Sequence, residues 1–182
     1  MRRRVARLLG AAVVGLVVIV PTGHAEAPAD APVDRPPGTL PLSAFPQERI
    51  AVETRASFRR RLFLAWRAET YAALAQGLMY VPDAAMRPDQ AMIFVYDPPQ
   101  RVSMWMKNTL QSLDMLFVDR RGCIVTIKER AVPRSPATID SRAPVALVVE
   151  LKGGTVADQG IAVGDRVVRI DAGWPSEETS CR

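Results

Sequence analysis

Five side chains stand among apolar neighbours in positions where they could do chemistry: Trp105, Lys107, Asn108, Asp114 and Glu150. Read as a strand, residues 102–108 put Ser103, Trp105 and Lys107 on one face and Met104, Met106 and Asn108 on the other. Asp114 interrupts Leu113 to Val118, sharing a face with Leu116 and Val118, and Glu150 interrupts Val145 to Leu151, beside Ala146 and Val148. An ionised carboxylate is too costly to bury alone, so each must pair, accept hydrogen bonds or line a wet pocket. Lys107 and Asn108 are the nearest partners along the chain. Two readings follow. In the first, the five residues converge on a cleft in which the indole is a stacking wall and the polar groups fix a small ligand. In the second, Lys107 with Asp114 or Glu150 is a buried pair that pins strand register and binds nothing.

Two other chemistries use the same region. Asp114 or Glu150 as general acid or base, with Lys107 as electrostatic stabiliser, would suit proton abstraction or glycosidic chemistry. Met79, Met86, Met92, Met104, Met106 and Met115 fall within 37 residues, and thioether clusters bind Cu(I), although methionine is also a common core filler. The sole histidine, His24, lies in the leader described below, so the rest of the chain has none for a Ser-His-Asp or Cys-His centre or a histidine-ligated metal. No cofactor and no metal site are expected. Cys123 and Cys181 are the only thiols. In an oxidising compartment such a pair is read as a disulfide fastening the tail, with two free thiols as the alternative.

The elements that must hold these residues are mostly strands. Short apolar runs separated by turn signals predict strands at 49–55, 58–66, 91–96, 102–108, 113–119, 123–131, 145–151 and 166–170. Asp97-Pro98-Pro99-Gln100 and Asp119-Arg120-Arg121-Gly122 read as turns. Two stretches read as short helices. Glu69 to Gln76 has Ala68, Ala72 and Ala75 at helical spacing and Gly77 as its stop; a second runs from Thr155, as cap, to Gly160. The expected fold is mainly β (α+β), a compact antiparallel sandwich or barrel-like domain with two short helices.

The 182 residues are 48% hydrophobic and 24% charged, the balance of one ordinary globular domain. Residues 1–25 read as a signal peptide: Arg2, Arg3, Arg4 and Arg7, an uncharged run from Leu8 to Val20, then small residues at Gly23 and Ala25. That run falls short of a spanning helix, with an uncleaved anchor as the alternative. Four of the 24 basic residues belong to this leader, so from residue 26 onward 20 face 19 acids and the net charge falls from +5 to +1. The remaining cluster, Arg55, Arg59, Arg60, Arg61 and Arg67, reads as a solvated strand face, and no nucleic-acid partner is expected. Residues 26–47 carry six prolines and read as a disordered tether. Residues 48–171 read as the folded domain and 172–182 as a polar tail. An exported monomer of the periplasm or extracellular space follows, with a small molecule or an envelope protein as partner. Membrane contact would come only through a retained leader.

Trp105-Met106-Lys107-Asn108-Thr109 followed by Leu113-Asp114 resembles the signature of an uncharacterised prokaryotic family, domain of unknown function 192. Gly77-Leu78-Met79, Met92-Ile93-Phe94, Val149-Glu150-Leu151, Gly153-Gly154 and Gly160 to Asp165 fit the same pattern in the same order. The resemblance spans roughly residues 48 to 170 and departs at Met104, where that family more often carries an aromatic. It implies a compact, mostly β domain with small helices, often exported, and implies no activity.

Overall fold

The computed structural model describes residues 35–175 and Cys181; the expected leader and most of the polar tail lie outside the described residues. The strands are β1 (Gln47–Thr54), β2 (Arg59–Ala68), β3 (Gln90–Gln100), β4 (Ser103–Met104), β5 (Leu113–Val118), β6 (Ile124–Ala131), β7 (Ile139–Asp140), β8 (Val145–Lys152) and β9 (Arg166–Arg169). The helices are α1 (Tyr71–Gln76) and α2 (Thr155–Gln159). Seven strands form one sheet in the order β6-β5-β8-β3-β2-β1-β9, and β4 pairs with β7 in a small second sheet.

The fold is mainly β, a strongly curled half-barrel with two short helices. All pairs in the large sheet are antiparallel except β2 with β3. That one parallel pair follows from the connection between them, which carries α1 and is long enough to return the chain to the same end of the sheet. Curling brings the two edges together at one end. Val167 N–H donates to the Gly122 carbonyl at 2.7 Å, Ile124 N–H to that of Asp165 at 2.9 Å and Gly164 N–H to that of Ile124 at 2.9 Å. The Cys123–Cys181 disulfide lies at this seam, as the cysteine pairing predicts.

One apolar cluster draws on all seven strands of the large sheet and so fills the inside of the curl; Ile50, Phe63, Ile93, Leu116, Ile124, Leu147 and Val167 each represent a strand. A second lies on the outer face, where Trp66, Met92, Phe94, Met115, Phe117 and Val148 are covered by Leu42, Phe45, Ala73, Leu78 and Met86. Burial on both faces explains why β5 and β8 read as nearly unbroken apolar runs rather than alternating ones.

Several local expectations change. Residues 35–46 belong in part to the fold, because Leu42 and Phe45, three apart around a single 3-10 turn, bury against the outer face. The expected turn at Asp97–Gln100 is the irregular end of β3, with a register shift between Val95 and Gln100 that lets the strand continue past two prolines. Asp119–Gly122 is a turn as expected, with Gly122 N–H donating to the Asp119 carbonyl at 3.0 Å and Gly122 at φ +84°. In α1 the Thr70 hydroxyl caps Ala73 N–H at 3.2 Å, and Ala73, not Ala72 or Ala75, is the buried alanine. Only Ser103 and Met104 of the predicted 102–108 strand are extended. Asn108 turns to φ +60° and Thr109 N–H reaches back to the Met106 carbonyl, which breaks the alternation.

The disulfide closes 58 residues of chain. Cys181→Ser is expected to cost about 2–4 kcal/mol, read as a lower urea midpoint, a fall that reduction of the wild type should reproduce.

Candidate functional site

Register decides which of the predicted residues meet. In the β5–β8 pair, Met115 lies opposite Glu150 and Asp114 opposite Leu151. Residues paired across a ladder share a face, so Asp114 points with Leu116 and Val118 to the inside, while Glu150 points with Val148 and Met115 to the outside. The two carboxyls therefore occupy opposite faces of the sheet. The paired-carboxylate arrangement that glycosidic chemistry needs is not formed.

Asp114 is 0% exposed and accepts three backbone hydrogen bonds. Its Oδ1 accepts from Arg130 N–H at 2.7 Å, and its Oδ2 from Gly154 N–H at 3.0 Å and Val156 N–H at 2.8 Å. The last two are the free donors at the start of α2. Thr155, the expected cap, does not serve: the cap position is Gly154 at φ +99°, which has no side chain, and a strand residue supplies the oxygen instead. Lys107 is exposed, and the Asn108 amide lies 3.9 Å from Met79 Sδ. Neither reaches a carboxyl, so the Lys107 pair of the second reading does not form.

Glu150 has a different environment. It is 4% exposed, its Oε2 is buried with no partner, and burial alone pushes its carboxyl up to about 8 from the ordinary 4.5. It faces a cleft of about 100 Å³ between the end of α1, β3 and the loop after β4. Trp105, 49% exposed, lies at the rim; Phe94, Tyr96, Met79, Met104 and Thr109 complete the walls. Tyr96 is pushed up to about 12, first by burial and then by the nearby charge of Glu150. Gly77 permits this packing, since a Cβ there would stand 2.8 Å from the Phe94 ring. The cleft thus unites Trp105 and Glu150 from the predicted set and leaves out Lys107, Asn108 and Asp114. Tyr96, Thr109 and the thioethers were not singled out as partners of Glu150, because each sits in an ordinary apolar context in the sequence.

Of the six clustered methionines, Met86, Met92, Met106 and Met115 are core residues, and only Met79 and Met104 line the cleft. Among the described residues no group of three or more His, Cys, Asp or Glu could hold a metal. A larger open groove of about 900 Å³ runs beside the β1–β2 hairpin, where Phe58 is 95% exposed. Its lining arginines are partly matched by acid: Arg60 Nε lies 3.6 Å and Arg166 Nη1 3.9 Å from Glu53. Two further buried carboxyls are structural. Glu48 accepts from Arg169 at 2.6 and 2.8 Å and from Arg67 at 3.1 Å, tying β1 to β9 and β2. Asp165 accepts from Arg55 N–H at 2.9 Å and Ala162 N–H at 2.8 Å.

A family model described as DUF192, "Uncharacterized ACR, COG1430", matches residues 52–169. A solved structure from Sinorhizobium meliloti 1021, described as a candidate transcription regulator, is 45% identical with a TM-score of 0.66, over 69% of this chain and 95% of that one. A protein of unknown function from Novosphingobium aromaticivorans DSM 12444 is 30% identical with a TM-score of 0.66, over 74% of this chain and 93% of that one. No curated protein matches.

Two outcomes follow from the contrast between the carboxyls. Asp114→Asn places an amide against backbone donors and is expected to cost about 3 kcal/mol in urea unfolding. Glu150, raised in the fold, keeps a proton that the unfolded chain gives up, so its contribution is fully present below pH 4.5 and is lost as pH climbs through about 8. Thermal unfolding between pH 5 and 9 should show that decline in wild type and a flatter profile in Glu150→Gln.

Proposed function

The chain belongs to the DUF192 family, and from that premise we propose that it is an exported module of the cell envelope that binds a small ligand in the cleft floored by Glu150. The observation that carries this reading is the buried, unpartnered Oε2 of Glu150, a residue that lines a cleft with a half-exposed indole at its rim. A carboxyl of purely architectural use would be met by donors, as Asp114 is. A carboxyl perturbed by desolvation at the wall of a cleft is a functional-site candidate on physical grounds. Export is supported by the basic-then-apolar leader at residues 1–25 and by the Cys123–Cys181 bond, which suits an oxidising compartment.

The description of the Sinorhizobium relative invites a nucleic-acid reading. Two of the five arginines that would carry it are already engaged by acids. Arg67 engages Glu48 and Glu69 at 3.1 and 3.0 Å, and Arg60 lies beside Glu53. Phosphate recognition needs a concentrated positive surface, and the near-neutral charge from residue 26 onward points away from one.

The test is thermal unfolding of the chain from Glu26 onward against amines, saccharides, peptidoglycan fragments, nucleotides and metals. A true ligand at 100 times its Kd adds about 2.7 kcal/mol. That gain should vanish in Trp105→Ala, a rim substitution with little effect on folding. Stabilisation that survives Trp105→Ala, or none with any compound, rejects the cleft as the site.

A further inference from the structure

We propose that the cleft takes a cationic ligand, a small primary or quaternary alkylammonium group, seated against the Glu150 carboxyl and the face of Trp105. This rests on the ligand-binding reading and names its chemistry. The argument begins with what the lining can still offer. Gln76 is already spent on Leu40, accepting from its N–H at 2.6 Å and donating to its carbonyl at 2.8 Å. Ser103 Oγ bonds the Asp140 carboxylate on β7, and the Tyr96 hydroxyl rests against Met104 Sδ at 3.7 Å. Glu150, the Thr109 hydroxyl and the Trp105 indole N–H are the side-chain polar groups that remain. A saccharide, which needs many directional partners, finds too few; an anion meets the Glu150 carboxyl and no cationic side chain.

Charge points the same way. No lysine, arginine or histidine lines the cleft, and Glu150 is flanked in register by Met92 on β3 and Met115 on β5. Tyr96 is the other titratable group in the lining, and Lys107 points to solvent. The walls are the rings of Trp105, Phe94 and Tyr96 and the thioethers of Met79 and Met104. Aromatic faces carry negative quadrupoles and thioethers are polarisable, so both attract a soft, weakly hydrated cation. A volume of about 100 Å³ holds an alkylammonium head and little else. An ammonium at this place would supply the counter-charge that the fold withholds from Glu150, and the carboxyl would then ionise as the ligand enters.

Isothermal titration of the chain from Glu26 onward with methylammonium, tetramethylammonium and choline tests this, set against tert-butanol, acetate and phosphate. Measurement at pH 7 in two buffers of different ionisation enthalpy reads the proton. An ammonium compound should bind with proton release, tighten as pH rises from 6 to 9, and lose at least about tenfold in both Glu150→Gln and Trp105→Ala, whereas the neutral and anionic compounds should not bind. Trp105→Ala keeps the comparison interpretable should the Glu150 variant fold differently. Equal binding of an ammonium by Glu150→Gln, or binding without proton release, overturns the assignment. Stabilisation by a saccharide or by Cu(I), lost in Trp105→Ala, with no response to ammonium overturns the cationic ligand alone and leaves the cleft as a site. Silence from every compound rejects both.

Discussion

Where the sheet is buried on both faces it leaves no water for a charged side chain, and this constraint governs each carboxyl buried there. Isolated charge in such a place costs several kcal/mol, so every acid must find donors or hold its proton. Asp114 finds three backbone N–H groups, Glu48 two arginines, and Glu150 none. Three buried acids of one sheet thus have three different fates. Residue type is the same or nearly so; the donors within reach are not.

The Asp114 network shows how the constraint shapes the rest of the domain. One carboxylate ends the N-terminal fraying of α2, fixes the Gly153-Gly154 approach to it and holds Arg130 in β6. Gly153 suits that approach, since a Cβ there would meet Ser112 at 2.6 Å. α2 in turn delivers Val156 to the inner core, where residues from all seven strands converge. At the other end of the curl, Glu48 joins the edge strand β9 to β1 and β2 through Arg169 and Arg67. The curled sheet is thereby pinned near each end by a buried acid, and at the seam by the disulfide. Glu150, on the outer face, takes no part in that pinning.

Much of this was legible in the residues. Strand-length apolar runs, the Asp119–Gly122 turn, Gly77 as the stop of α1 and the cysteine pairing all follow from local chemistry, which the tertiary fold leaves intact. The misreadings arose where local chemistry was overruled. Alternation over 102–108 implied a strand, yet Asn108 in the left-handed region turns the chain after two extended residues. Thr155 had the right side chain for a cap, yet Asp114 from a strand far away supplied the oxygen. Leu42 and Phe45 sat among prolines that argue for an extended tether, yet two apolar side chains three apart sufficed to hold that segment on the core. Trp105 and Glu150, both candidates in the sequence, line one cleft, and Lys107 was not separable from them because nothing local marks it as solvent-facing.

By itself the sequence determined that the chain would build short strands around an apolar interior, that histidine chemistry was absent after residue 24, and that Asp114 and Glu150 would each need an explanation. Local patterns carry such information because side-chain parity within one strand is fixed by the pleat. Only the tertiary structure decided which carboxyl met donors and which faced a cleft. Parity within a strand says nothing of register between strands, and a shift of one residue exchanges the faces. Pairing Met115 rather than Asp114 with Glu150 sent one acid to the inner core and the other to the outer face. Long-range pairing of β5 with β8 set that choice, and with it the buried Glu150 carboxyl that meets no donor.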